Sequence, residues 1–321
     1  MARANAIYYG TRDPFADFTT SPEISQVFGE IIGLWAAVTW QLLGCPDPVL
    51  LIEAGPGRGT LMADALRAVR LASPDFAAAA RVHLIETSAR LRSAQASRVP
   101  DATWHDRLAS VPEQPMILVA NEFLDALPIR QFIRRGSDWT ERFVDRGQWV
   151  EQPAGDAEIP PGRTTAEGDV VEVNQPARDF VAAIGRRVAR HRGAALLVDY
   201  GPERSAAGDS LQALAQKRPV DPLAHAGSAD LTAHVDFADL AGVARACGAS
   251  VQGPVPQGAF LTALGLFRRT ERLARNRTPA EASALNEAAQ RLADPAAMGQ
   301  LFKVMAVCSA SCSPLPGLPD R

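Results

Sequence analysis

Val49-Leu50-Leu51-Ile52 runs without a break into Glu53-Ala54-Gly55-Pro56-Gly57-Arg58-Gly59-Thr60. An apolar run that ends in glycines at every second position dictates a buried strand, a sharp turn and a following helix. Glycine takes turn conformations that side chains resist, and it lets the backbone come close to a ligand. The feature commits the chain to an α/β fold with a crevice at the carboxyl end of this strand.

The spacing narrows the ligand. A dinucleotide fingerprint would read G-x-G-x-x-G, and a phosphate-binding loop G-x-x-x-x-G-K-[ST]. Here the pattern is acid-x-G-x-G-x-G, with no lysine after it. A carboxylate at Glu53 would repel a pyrophosphate and attract an amine or another cation. S-adenosylmethionine fits, because it carries an ammonium, a sulfonium and ribose hydroxyls but no phosphate. Glu53, Gly55, Gly57, Gly59 and Thr60 are the residues expected to hold it. A glycine-rich turn that serves packing alone is the competing reading of this motif. A second apolar run ending in an acid, Val82-His83-Leu84-Ile85-Glu86, argues against it. In a strand-helix-strand unit Glu86 falls at the end of the neighbouring strand, within reach of ribose hydroxyls.

The surrounding pattern agrees with an alternating fold. Ser21, Pro22 and Glu23 form a helix start: a cap, a residue suited to the first turn and an acid favoured by the helix dipole. Ile24, Val27, Phe28, Ile31, Trp35, Val38 and Leu42 recur at three and four residues, which predicts a helix with one buried face inside a helical segment 1–45. Strands at 49–54, 82–86 and 116–120 then alternate with helices at 60–70 and 88–98, as in a parallel sheet covered on both faces. The strand ends should bring Gly55, Glu86 and Asn121 into one crevice. Residues 129–152 read instead as antiparallel hairpins, with Gly136-Ser137-Asp138 and Asp145-Arg146-Gly147 as turns, and 153–170 as a loop. A helix at 176–191 feeds a strand at 195–199, and 200–230 is weakly patterned. Asp236 is placed to cap a helix at 237–247; a helical insertion at 258–299 precedes a last strand at 302–307. One catalytic domain, 1–321, carrying these insertions is the expectation.

Composition removes some partners. A net charge of −3 and a pI near 6.0 leave no polycation for nucleic acid and no polybasic membrane anchor. Ile31 to Gly44, the most apolar stretch, has 14 residues, whereas a bilayer span needs about 20. Stable membrane insertion is therefore not expected. Cys45, Cys247, Cys308 and Cys312 lack the paired spacing of a metal site, and free thiols suit a reducing, cytoplasmic setting.

Methyl transfer is an in-line displacement, so the protein must position the acceptor and manage its proton. The acceptor side should follow the fourth strand, at Asn121-Glu122-Phe123-Leu124-Asp125-Ala126-Leu127-Pro128. Glu122 and Asp125 face the same way if this turn is helical, and a carboxylate pair matches the planar fork of a guanidinium. Either acid could instead cap the next helix. A second constellation is Asp230-Leu231-Thr232-Ala233-His234-Val235-Asp236-Phe237, in which His234 beside Asp236 could orient a substrate or take a proton. The alternative is Asp236 as a helix cap and His234 as a satisfied imidazole. His83, His105, His191 and His225 have no such company, and Trp104 reads as core at the border of an adenine site.

Taken in order, these stretches resemble the MidA-like family of S-adenosylmethionine-dependent methyltransferases, whose mitochondrial members are protein arginine methyltransferases acting in assembly of respiratory complex I. The resemblance is carried by Tyr8-Tyr9-Gly10, Asp17 to Ser25, the Glu53 to Thr60 loop, Asn121 to Pro128, Asp199-Tyr200-Gly201, Asp230 to Phe237 and Gly299 to Val304. It implies a Class I methyltransferase fold, Rossmann-like, with seven strands that are mostly parallel and a last strand that is antiparallel. It also implies symmetric dimethylation of a protein arginine, with a quinone-module subunit of respiratory complex I (NADH dehydrogenase) as protein substrate. The family places the segment from Ser21 to Ser25 over the cofactor pocket, and its eukaryotic members in the mitochondrial matrix. Against the family, the chain is short between Pro14 and Asp17 and over 202–229. Homodimer formation is left open, as are methyl transfer to a small molecule and an assembly chaperone with a vestigial cofactor pocket.

Overall fold

The computed structural model describes residues 1–12, 19–155, 159, 165–312 and 314–319. The stretch from Pro14 to Asp17, and 156–158 and 160–164 of the expected loop at 153–170, lie outside those residues.

Seven strands form the central sheet: β1 (Val49–Ala54), β2 (Ala80–Ile85), β3 (Thr103–His105), β4 (Met116–Asn121), β5 (Gly193–Tyr200), β6 (Ser250–Pro256) and β7 (Phe302–Cys308). Their order is β3-β2-β1-β4-β5-β7-β6. β1 pairs in parallel with β2 and β4, and β4 with β5; β7 runs antiparallel to both its neighbours. The last strand in the chain is thus the antiparallel one, as the family resemblance implies. The order reverses between β1 and β4, which opens the ligand crevice outside the carboxyl ends of those strands.

The unbroken apolar runs follow from burial on both faces. In β1, Val49 and Leu51 pack on one side, in a core shared with Val27, Ile31 and Trp35 of α3 (Gln26–Leu42) and Leu61 and Val69 of α4 (Thr60–Ala72). Leu50 and Ile52 point to the other side, toward Val181 and Ile184 of the helix Gln175–His191 and Leu240 of the helix Phe237–Ala246.

The helix expected from Ser21 is two helices. α2 (Ser21–Ile24) is a single turn that begins at Ser21, so Thr20 rather than Ser21 holds the N-cap position, with no side-chain cap bond, and Ser25 then leaves helical geometry at φ −152° and ψ 129°. The Ser25 side chain accepts a hydrogen bond from the Val27 amide and so caps α3. The break turns α2, and the Pro22-Glu23 pair it carries, across the end of the sheet. Before it, α1 (Ala2–Thr11) lies against the strand Asp230–Thr232.

Three insertions surround this frame. Strands Arg130–Arg135, Asp138–Asp145 and Gln148–Pro153 are the expected hairpins, and Val170–Val173 joins them as a fourth strand. The weakly patterned 200–230 hides a hairpin, Gln212–Ala215 with Arg218–Val220, which pairs with Asp230–Thr232. Helices from Gln257 to Leu301 make up the helical insertion.

Glu30 anchors that insertion to α3. Its carboxylate is 3% exposed and accepts from Arg269 Nε at 2.6 Å, Arg67 Nη2 at 3.0 Å and Gln26 Nε2 at 3.0 Å. Burial alone would raise its pKa, but the arginines outweigh burial and hold it below the ordinary value. Glu30→Ala should cost about 2 kcal/mol, less than the loss of a fully buried pair because both arginines can turn to water. A lowered Tm by calorimetry checks this. Because the folded-state pKa is depressed, the contribution is present at neutral pH and is lost as pH falls through that pKa. The Tm gap between wild type and variant should therefore close in acid.

Candidate active site

Gly55, Gly57 and Gly59 all have positive φ, at 65°, 52° and 78°. They swing the chain out of β1 and into α4, which Gly59 caps and Thr60 begins. A Cβ on Gly55 would sit 2.7 Å from Phe123 Cδ2, so the loop is folded against the turn that leaves β4. Between them is a cavity of about 360 Å³. The glycine loop, Glu86 to Ser88 after β2 and Asn121 to Phe123 after β4 form three of its walls, with α1 and the start of α2 closing it.

Glu53, Gly55, Gly57, Thr60, Glu86 and Asn121 line this cavity. Gly59 lies behind it against Gln95, and Ser21 is fully buried at its edge. The residues around Ser21, namely Thr20, Pro22 and Glu23, are the ones in the wall. The Ser21 amide donates to Glu122 Oε1 at 2.8 Å, so the segment grips the acid after β4. Thr60 Oγ1 donates to Glu23 Oε1 at 2.5 Å and ties α2 to the glycine loop.

Glu53 is 3% exposed, and its Oε2 has no hydrogen-bond partner among the described residues. Burial pushes its carboxyl up to about 8. An orphaned acid oxygen beside a glycine cradle fits a cationic ligand, which would supply what it lacks. Burial also raises the Glu86 carboxyl, although the Ser88 amide at 2.8 Å and Gln95 Nε2 at 3.2 Å donate to it. The same Gln95 amide donates to the Gly57 carbonyl at 2.8 Å, and Trp104 Nε1 donates to Gln95 Oε1 at 2.8 Å. Gln95 is the strut that sets the loop against Glu86, and Trp104 braces it without lining the cavity. With one acid held free for a cation, another at the end of β2, and no metal-binding group of three ligands among the described residues, the residues fit S-adenosylmethionine.

The acceptor side is organised by Asp199. Its Oδ2 accepts from three successive amides, Phe123 at 3.2 Å, Leu124 at 2.9 Å and Asp125 at 3.3 Å; Oδ1 accepts from the Tyr200 amide at 3.0 Å. This clamp holds a non-helical turn with Glu122 at φ 50°. The helical spacing expected to align Glu122 with Asp125 is absent. Glu122 lines the cavity, with its carboxyl pushed up to about 7 by burial. Asp125 is 6% exposed and stands behind the wall, bonded to the Tyr200 side chain. Burial and the neighbouring Asp199 and Asp230 hold its carboxyl well above the ordinary range. Tyr9 of α1 lines the cavity and donates to Asp230 Oδ1 at 2.7 Å.

His234 and Asp236 are not in this cavity. Both line a second one, of about 510 Å³, on the far side of the segment from Ala126 to Ile129. Asp236 caps the helix Phe237–Ala246 through the Asp239 amide at 3.0 Å and also accepts from Ser205 Oγ at 2.9 Å. His234 is exposed and stands edge-on to Tyr200 with ring centroids 5.7 Å apart. His83 and His105 do have company: each is the other's partner, Nδ1 to Nε2 at 2.8 Å across β2 and β3. Sequence alone assigns no role to Tyr9, Gln95, Asp199 or Tyr200, nor to Asn5, which lines the cavity and donates to the Ala126 and Leu231 carbonyls at 2.9 and 2.8 Å. Tyr8-Tyr9-Gly10 and Asp199-Tyr200-Gly201 were visible as motifs, whereas Gln95 is an ordinary helical position.

A family of S-adenosyl-L-methionine-dependent methyltransferases matches residues 31–255. The chain is 34% identical to the mitochondrial protein arginine methyltransferase NDUFAF7 homolog of Drosophila melanogaster, over 96% of its own length and 79% of the relative's. With the human mitochondrial protein arginine methyltransferase NDUFAF7 it shares 33% identity, over 94% and 76%. A crystal structure from Burkholderia thailandensis, bound to S-adenosyl-homocysteine, superposes with a TM-score of 0.75 at 26% identity, covering 94% of this chain and 81% of that one.

Proposed function

The chain belongs to this family of S-adenosyl-L-methionine-dependent methyltransferases, and on that premise we propose that its methyl acceptor is a terminal nitrogen of a protein arginine. The observation that carries the reading is Glu122, a carboxylate in the cavity wall beside the glycine loop, backed by the buried acids Asp125 and Asp230. The relatives' shared name, protein arginine methyltransferase, supports the same acceptor.

Bound S-adenosylmethionine supplies an electrophilic methyl on a sulfonium. In the proposed arrangement Glu53 faces its cationic end, Glu86 accepts from its ribose, and Asn121, Gly55, Gly57 and Thr60 shape the cradle, with Gly59 and Ser21 supporting it from behind. Glu122 accepts guanidinium N–H bonds and localises the positive charge away from the attacking nitrogen. As that nitrogen takes the methyl it must shed a proton, and a carboxylate with a pKa about 7 is matched to receive it. Asp125 acts through Tyr200 from behind the wall, and His234 and Asp236 act on the substrate at a distance from the methyl. The second cavity favours a protein over a small molecule, which would need only the first.

The reading extends to symmetric dimethylation of a quinone-module subunit of respiratory complex I, supported by the family resemblance. The relatives are named as mitochondrial. For this chain a cytoplasmic setting is proposed from its four free cysteines. Among the described residues no helix is long and apolar enough to cross a membrane.

Incubation with labelled S-adenosylmethionine and the quinone-module subunit should put label on an arginine. Glu122→Gln should lower the rate by about 100-fold while leaving S-adenosylhomocysteine affinity within about threefold. Label found on small molecules alone would overturn the acceptor.

Cofactor binding should also carry a proton signature. A Glu53 carboxyl at about 8 is protonated at neutral pH in the free protein, and a facing cation favours the carboxylate. Binding then releases a proton, and S-adenosylmethionine affinity should rise up to about tenfold per pH unit as pH climbs toward 8, then level off. Without ligand the same raised pKa makes folding stability fall over that window. Calorimetry in buffers of different ionisation enthalpy checks the release, and Glu53→Gln should remove this part of it.

A further inference from the structure

We propose that the second cavity is the subsite for the stretch of the substrate protein that flanks the target arginine, with a basic side chain of that stretch seated against Glu172. The inference rests on the arginine reading above. One segment separates the two cavities: Ala126 and Leu127 line the first, Ile129 lines the second, and Asn174 Nδ2 pins the segment by donating to the Leu124 and Leu127 carbonyls at 3.1 and 3.2 Å. An extended chain rises about 3.3 Å per residue. A peptide crossing this segment would place its arginine beside Glu122 and a nearby residue in the second cavity.

Beside core elements such as Ala177, Leu240 and Lys303, part of the lining comes from segments that a seven-stranded core does not require. Glu172 comes from the hairpin sheet, Ala207 and Ser210 from the stretch before the second hairpin, and His234 from the segment that follows the strand Asp230–Thr232. The cavity opens beyond the carboxyl end of β5, at Gly201, which is where acceptors approach in open α/β sheets.

Its charge selects the occupant. Glu172 accepts from Gln131 Nε2 at 2.8 Å, from the Ser210 amide at 3.0 Å and from the Ser210 hydroxyl. All of these donors are neutral, and the neighbouring Arg142 donates to Gln131 and Asp209. Asp239 is already paired with Arg178, and Asp236 is engaged as a cap. Lys303, on another wall, is 7% exposed with its ammonium tied to the Gln300 and Leu301 carbonyls. A lysine or arginine from the substrate is therefore drawn to the Glu172 side and away from Lys303. Tyr200 connects the two sites, with His234 against its ring on one side and Asp125 bonded to its side chain on the other.

The test uses the full chain and peptides spanning the arginine that the wild type labels. Glu172→Gln keeps the hydrogen-bonding shape and removes the charge; it should raise peptide KM about fivefold, and replacing the peptide's basic neighbour with glutamine should abolish that difference. Ala207→Trp fills the cavity and should raise KM at least about tenfold for every such peptide. Neither should move the Kd for S-adenosylhomocysteine. Folded variants that both keep the wild-type KM would overturn the subsite while the arginine reading stands. A wild type that labels no arginine would sink that reading and this inference together.

Discussion

Gly57→Val should abolish measurable S-adenosylhomocysteine binding in a protein that still unfolds cooperatively. Gly57 has φ 52° and lines the cavity, with its carbonyl held by Gln95 at 2.8 Å. A β-branched residue in this left-handed conformation costs on the order of 2 kcal/mol, and its methyls occupy space the ligand needs. In a chain of this length a loss of that size lowers Tm by several degrees, which leaves the fold standing. Affinity should fall by at least about 100-fold, because the loop can recover its geometry only by leaving the Gln95 strut. Calorimetry and a melting curve on the same sample separate the two effects. The variant also divides the enzyme from a scaffold: retained function in complex assembly, with no cofactor bound, would mean that the pocket is vestigial.

The glycine loop was legible because each constraint on it is local. Val49 to Ile52 must be buried on both faces, and nothing but glycine sits easily at Gly55, Gly57 and Gly59. Glu86 was legible for the same reason, as the end of a short apolar run. The acceptor side was not, because its organiser is 75 residues from what it organises: Asp199 on β5 clamps the Leu124 amide after β4. An acid that ends a strand looks the same in sequence whether it meets a ligand or three backbone amides. The split between α2 and α3 was hidden differently, since the apolar spacing from Ile24 to Leu42 runs straight through Ser25. His234 and Asp236 stood out because acids flank the histidine in the chain, which says what they could do to a substrate but not which cavity they line; tertiary structure sets both in the second one.

Asp199→Asn should lower kcat by about 100-fold and shift its pH profile, with cofactor affinity little changed. The carboxylate receives four amide N–H bonds, three of them on Oδ2. An asparagine can turn its oxygen to the turn, but its amino group then faces the Tyr200 N–H, so at least one buried donor is left unpaired at a cost of about 1–3 kcal/mol. The turn would relax, and Glu122 would leave the left-handed geometry that sets it in the cavity wall. Asp199→Ala, which frees all four donors, should be recovered folded only in part. A purely structural role predicts lower stability and nothing more. The pH profile tells them apart. Burial raises the Asp199 carboxyl to about 7, and the nearby Glu122 adds to that rise; by reciprocity a charged Asp199 disfavours a charged Glu122. Removing the Asp199 charge lowers the Glu122 pKa, so Glu122 becomes ionised, and able to take the arginine proton, at lower pH. The acid limb of kcat at saturating cofactor should therefore move to lower pH than in the wild type. A limb that stays in place while kcat falls would assign Asp199 to folding alone.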